Sequence, residues 1–424
     1  MKTTKFFFMA ALALMTAACS NDDNDLTTQQ PQKAEGITIT AQLAPKTGGA
    51  TTRGVSEGVD RINSYWAVNE HLAVLYTKGA TKYAADATIT AVDGSGTATI
   101  TFTVEAGTPD DTPCTLVYPL SAAKDDHTGV KDAATLLANQ DGTLNANLDV
   151  RVGEGTIQTT TPGLTVTTQP AAQFAIFKFT LQDLSAAAKS ATEFKVSDGS
   201  GNVMTTVTPT PASGVLYVAL PVMAAGTYWF NATIESKPYI AKATVGTATS
   251  VGRYYQSTVK MATLGDVIKA DGKFYAAGTG SPVAMIAYLG NGSNCAHGLA
   301  IQLNANPESK NWSDACSYSS YPSITGNPGT WRLPSKDDWQ NMFVGCAKDG
   351  DAGASDSMDP IAGFKEKIGA TGITWRSVSY WSSTTGSGSN AWSVNVFLKS
   401  SYAYANFNEL GTSTPYRVLG CLAF

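Results

Sequence analysis

From Gly36 onward the chain keeps placing apolar side chains two residues apart, and that period constrains its fold more than any other feature. In Ile37-Thr38-Ile39-Thr40-Ala41-Gln42-Leu43 apolar and polar positions alternate, as they do in a strand with one buried face. The same beat predicts strands over 71–77, 86–92, 96–104 and 114–120, and again over 175–181, 193–198, 214–222, 226–235, 238–245 and 254–261. The first four of these runs are bounded by Gly, Asp or Pro, and the alternation along all of them leads to the expectation of antiparallel sheets with one face in water. Residues 44–58 and the Thr/Gly-rich passage 153–170 read as loops.

Ahead of the first strand, Lys2 and Lys5 precede the apolar run Phe6–Leu14 and the small residues Ala17 and Ala18, the make-up of a secretory signal peptide. Cys19 follows at once. The pattern resembles a bacterial lipobox, with Thr16 where a leucine is usual, which implies cleavage after residue 18 and a lipid on the Cys19 sulfur. The run Ser20–Asp25 is similar to the surface-export tag of Bacteroidetes lipoproteins, and residues 19–35 read as a tether. An outer-membrane or cell-surface location follows, with the lipid on Cys19 as the only membrane partner.

Only 15% of the 424 residues are charged and the net charge is -5, so no basic face is available for a phosphate backbone and nucleic acid is not expected as a partner. Five further cysteines, Cys114, Cys295, Cys316, Cys346 and Cys421, would meet an oxidising compartment, and an odd number leaves at least one free. No CxxC or HxxxH spacing occurs, and no metal or other cofactor is expected. Catalytic residues are not expected either, because no Ser/His/Asp order or carboxylate cluster stands out.

Several pieces in order carry a family resemblance: the lipoprotein start, a first strand followed by a loop with Arg53 in TTRG, then WAVNEHLAVLY, LVYPL, AIFKFTL and GRYYQSTVKM. Over residues 1–262 the chain resembles the fimbrillin family of Bacteroidetes pilus subunits. The resemblance implies two tandem transthyretin-like β-sandwiches, over 36–152 and 153–262. It also implies cleavage after Arg53 by a trypsin-like protease, loss of the first strand, and its replacement by a strand from another fimbrillin subunit. Arg53 lies in a Gly/Thr-rich stretch that a protease can reach.

Residues 263–424 differ. Two short strands are expected around ADGK and helices at WSDACSY and SKDDWQNMFVGCAK, the second capped by Ser335 with Asp337 and Asp338 in its first turn. Strands follow at SVSYWSSTT, NAWSVNVFLK, SYAYANF and YRVLGCLAF. GTWRLPSKDDWQNM, YWSST and AWSVNVF are similar to C-type-lectin-like domains, an α+β fold. That resemblance implies disulfides Cys346–Cys421 and Cys295–Cys316, with Cys114 free. Calcium is not expected, because Trp392-Ser393-Val394-Asn395 lacks the acidic residue and the Pro-centred loop that would complete an oxygen set. Trp375, Tyr380, Asn395, Tyr402 and Tyr404 are the candidate ligand contacts, aromatic rings being suited to a sugar face. Two functions are in play. One is a minor or tip subunit of a pilus that presents the C-terminal domain to a glycan or host-matrix protein; the other is a monomeric anchored lipoprotein that captures glycan.

Overall fold

The computed structural model describes residues 36–46, 55–57, 62–292, 295–304, 306–326, 329–373, 375, 377–399 and 401–424. The signal, tether, Cys19 and Arg53 lie outside the described residues. The rest is mostly β, as the alternation predicts.

The first strands in chain order are β1 (Ile37–Leu43), β2 (Val55–Glu57), β3 (Ile62–Ser64), β4 (His71–Lys78), β5 (Thr81–Val92), β6 (Ala98–Val104), β7 (Thr112–Tyr118), β8 (Arg151–Gln158) and β9 (Gly163–Ala172). Seven of them form one sheet in the order β1-β6-β5-β4-β7-β8-β9, while β2 and β3 pair with each other. The sheet curls until its two edges approach, and the Ala44 amide donates to Gln169 Oε1 at 3.1 Å. The curl encloses a core of Ile39, Leu43, Leu72, Ile89, Ile100 and Leu116, with Ile157 of β8 closing one side.

The passage 153–170 is not a loop: β8 and β9 occupy it and extend the first sheet to Ala172. Its glycines hide the strands. A Cβ on Gly153 would lie 2.6 Å from Thr168 O, so the two strands run together only where one lacks a side chain.

A second sheet holds β10 (Ala175–Asp183), β11 (Glu193–Asp198), β12 (Val203–Val207), β13 (Val215–Leu220), β14 (Gly226–Ile234), β15 (Lys237–Val245) and β16 (Tyr254–Thr263), in the order β12-β11-β14-β15-β16-β10-β13. Here β10 and β16 run parallel, a departure from the all-antiparallel expectation. The face of β4 and β7 turned away from the first core packs through Leu75 and Val117 onto Phe174 and Ile176, together with Leu137 of the short helix α1 (Ala133–Leu137).

The remainder contains β17 (Val267–Ile268), β18 (Phe274–Tyr275), β19 (Ala284–Leu289), β20 (Gly298–Gln302), β21 (Ser309–Lys310), α2 (Trp312–Cys316), β22 (Thr330–Arg332), α3 (Lys336–Gly345), β23 (Ser357–Met358), α4 (Ala362–Ala370), β24 (Val378–Thr385), β25 (Asn390–Leu398), β26 (Ala403–Gly411), β27 (Tyr416–Arg417) and β28 (Cys421–Ala423). Two six-stranded sheets result, β18-β17-β19-β20-β28-β22 and β21-β27-β24-β25-β26-β23. Ser335 caps α3 and forms a capping box with Asp338, as the spacing predicts. Trp339, Met342 and Phe343 of α3 turn into the core between the sheets. Strand β28 sits inside its sheet, paired to β20 on one side and β22 on the other. A further apolar cluster joins Trp229 and Ile240 of the second sheet to Ile286, Leu422 and Phe424.

Candidate functional site

Strand β1 is an edge strand whose strand pairing is with β6, antiparallel, from Ile37 opposite Val104 to Leu43 opposite Ala98. Its inward side chains follow the alternation: Ile39 and Leu43 are fully buried and Ala41 nearly so. On the outward face Thr38 and Thr40 stand beside Thr103 and Thr101, each pair of hydroxyls 3.5 Å apart. Gly36, just before the strand, lies so close to β6 that an added Cβ would meet Val104 O at 2.7 Å.

Beyond β1 the chain makes one more deep contact. Lys46 is buried, with its ammonium 3.6 Å from the centre of the Tyr118 ring and 4.1 Å from that of Trp66. These two rings meet edge to face at 5.2 Å. Asp149 Oδ2 lies 3.2 Å from the ammonium and Glu70 Oε2 4.0 Å away. Each carboxylate is fixed in turn. Asp149 accepts from Arg151 Nε at 2.8 Å and from the Ser64 hydroxyl, while Glu70 accepts from Tyr118 Oη at 2.9 Å and from the Ala67 amide at 3.0 Å. Trp66 Nε1 donates to Ala44 O at 2.9 Å, which ties the box to the chain leaving β1. Burial pulls the Lys46 ammonium down to about 8 against the attraction of Asp149 and Glu70.

On the far side of residues 47–54 the chain is anchored again. Glu57 of β2 accepts from Lys178 Nζ at 2.7 Å, from Tyr254 Oη at 2.7 Å and from Tyr217 Oη, all on the second sheet. Hydrogen bonds from Lys178 and the two tyrosines lower its carboxyl to about 2. Sequence reasoning found β1 but missed both anchors. Lys46 and Glu57 sit in Gly/Thr-rich chain with no pattern to mark them, and their partners are remote in sequence.

The aromatic candidates separate into two groups. Trp375 and Tyr380 are corrected from ligand contacts to core: both are buried, and Trp375 packs on Trp339, Phe364 and Tyr380 with centroids 5.5–6.5 Å apart. Tyr380 is inward because β24 is buried on both faces at its middle, where Tyr380, Trp381 and Ser382 are all enclosed. Tyr402 is exposed, and it stacks on half-buried Tyr404 at 5.9 Å, which stacks on Phe397 at 4.6 Å. Asn395 lies opposite Asn406, and Ser357 Oγ donates to Asn406 Oδ1 at 3.0 Å. Rings and amides therefore share one face of the sheet.

All five described cysteines are free thiols, which corrects both expected disulfides. The Cys346 thiol points at Ala287 O, 3.3 Å away, and the Cys295 thiol at Gly290 O, 3.7 Å away. Burial pushes the Cys346 and Cys421 thiols up to about 12. Among the described residues no group of three or more His, Cys, Asp or Glu side chains is placed to hold a metal ion.

No protein-family model and no curated protein matches this sequence. Among solved structures, the chain is similar to a fimbrial protein from Bacteroides ovatus at 13% identity and TM-score 0.26, covering 92% of this chain and 99% of that one. A fimbrial assembly protein from Parabacteroides distasonis matches at 13% identity and TM-score 0.30, over 53% of this chain and 90% of that one. The group B streptococcus pilus 2b backbone protein matches at 14% identity and TM-score 0.17, over 54% and 86%. At these identities and scores none of them bears on function.

Proposed function

We propose that this chain is a subunit of a cell-surface fibre, exported as a lipoprotein through Cys19, that gives up β1 and receives a strand from a neighbouring subunit in its place. The observation that carries the reading is the standing of β1. It is an edge strand with fully buried Ile39 and Leu43, joined to everything else by the Gly/Thr-rich stretch that holds Arg53. Its removal uncovers the hydrogen-bonding edge of β6 and an apolar groove, which a strand of matching alternation fills by β-augmentation. Two buried aliphatic side chains at about 1.5–3 kcal/mol each, with a ladder of main-chain bonds, favour a long-lived joint.

Strand β28 is a poor donor, because it is paired on both sides. With β28 held in its sheet, the reading places this subunit as the acceptor at a fibre tip, with the lectin-like C-terminal sheets outermost. The mass of the mature protein taken from the cell surface tests this reading. A chain beginning at Gly54 is expected; one that still begins at acylated Cys19 would overturn it.

A second reading, a monomeric anchored glycan receptor, is favoured by the Phe397–Tyr404–Tyr402 stack beside Asn395 and Asn406. Loss of glycan-array binding in Tyr402→Ala and Tyr404→Ala, by a chain that retains Cys19, is the result it expects.

A further inference from the structure

We infer that the groove left by β1 selects its incoming strand by charge: the box around Lys46 is a cation receptor, and the partner strand must bring a lysine or arginine three residues beyond its last buried apolar side chain. The inference rests on the strand-replacement reading above. Its own basis is the geometry of the box. Lys46 precedes Arg53, so cleavage there carries it away with β1 and leaves Trp66, Tyr118, Glu70, Asp149 and Arg151 behind.

What stays is one cation short. Among the described residues Asp149 keeps the Arg151 guanidinium, Glu70 keeps only the Tyr118 hydroxyl and the Ala67 amide, and two rings present the faces over which the ammonium sat at 3.6 and 4.1 Å. An apolar side chain in that place would leave the half-buried Glu70 carboxylate without its ion-pair partner, and an acidic one would add a third carboxylate. A cation restores the balance. Its place is fixed by register, because Leu43 opposite Ala98 sets the strand and Trp66 Nε1 on Ala44 O sets the exit of the chain. The recognised pattern is therefore apolar residues at alternate positions, as at Ile39, Ala41 and Leu43, followed by a cation where Lys46 stood. Apolar alternation alone is common to many strands, so the cation supplies the discrimination that the groove lacks.

The test uses the full chain with a site-specific protease sequence placed within residues 47–54. After cutting under native conditions, the severed strand is competed out with labelled peptides of residues 36–46, and affinity is read by fluorescence anisotropy. The native peptide and its Lys46→Arg form are expected to bind within a few-fold of each other, and Lys46→Met about tenfold or more weaker. In a Glu70→Gln body the gap between Lys and Met peptides is expected to shrink. If Lys46→Met binds as tightly as the native peptide while Leu43→Asp is rejected, the groove reads apolar register alone; the charge inference falls and strand replacement stands. If no peptide enters, the native one included, strand replacement itself falls and the inference with it.

Discussion

Leu43 is fully buried opposite Ala98, so Leu43→Ala removes packing that nothing nearby replaces and is expected to destabilise the first sheet by about 2–5 kcal/mol in urea unfolding. Thr38→Ala, on the outward face of the same strand, is expected to change stability by about 0.5 kcal/mol or less. Lys46 gives a prediction of opposite character. Its ammonium is lowered in the folded chain from 10.5 to about 8, so below pH 8 both folded and unfolded chains hold the proton and this group's contribution does not vary. Between pH 8 and 10.5 the unfolded chain binds more protons than the folded one, and stability rises with pH. Native protein, compared with Lys46→Met by urea unfolding at pH 7.5 and 10, is expected to gain up to about 3 kcal/mol over that window. A flat difference would mean that the ammonium is not desolvated. Sequence reading reached Ile39 and Leu43 because alternation is a local signal. It could not reach Lys46, whose surroundings are set by residues from three separate segments, and it placed Trp375 and Tyr380 at a ligand surface because nothing local distinguishes a core aromatic from an exposed one.

At the scale of elements, the chain around residues 47–54 is pinned at both ends, by Lys46 in the first sheet and by Glu57 on the second. A protease that cuts between them leaves the Glu57 anchor intact, so a cut need not unravel β2. Glu57→Ala removes the acceptor shared by Lys178, Tyr217 and Tyr254. Amides of β2 and β3 are then expected to exchange hydrogen faster, while those of β10, whose ladder is intact, do not change; equal exchange in β2 would show that Glu57 does not anchor it. With its carboxyl lowered from 4.5 to about 2, the anchor is fully formed above pH 4.5 and lost as pH falls toward 2. The strands themselves were largely legible in the sequence wherever apolar and polar residues alternated, as in β10 and β14. They were not legible in β8 and β9, where Gly153 and Gly155 stand in the places that side chains would occupy. Helix α4 also escaped notice: its Ala-Gly-Phe-Lys-Glu-Lys-Ile-Gly-Ala has two glycines and no side-chain cap. Its place is set by Phe364 and Ile368, which reach the C-terminal core.

For the molecule as a whole, the proposed fibre reading requires tension to pass from the received strand to the C-terminal sheets, and a flexible joint would take up that load. Here the apolar contacts are continuous. Leu75 and Val117 of the first sheet pack on Phe174 and Ile176, and Trp229 of the second sheet stacks on His297 at 4.5 Å and on Phe424 at 5.8 Å. His297 is buried there and lowered by desolvation to about 4, so it stays neutral at ordinary pH and behaves as part of the packing. The free thiols fit the same design, because cohesion of the C-terminal sheets comes from side chains such as Trp339, Phe343 and Phe364 instead of cross-links. Trp229 is the side chain on which the second junction turns. Trp229→Ala is expected to remove about 3–5 kcal/mol of packing shared between the second sheet and the sheet that holds β28. In scanning calorimetry the native chain is then expected to show the C-terminal sheets melting together with the second sheet, and the variant to show them melting apart. A variant whose transitions stay merged would mean that the two parts are joined by something other than this stack.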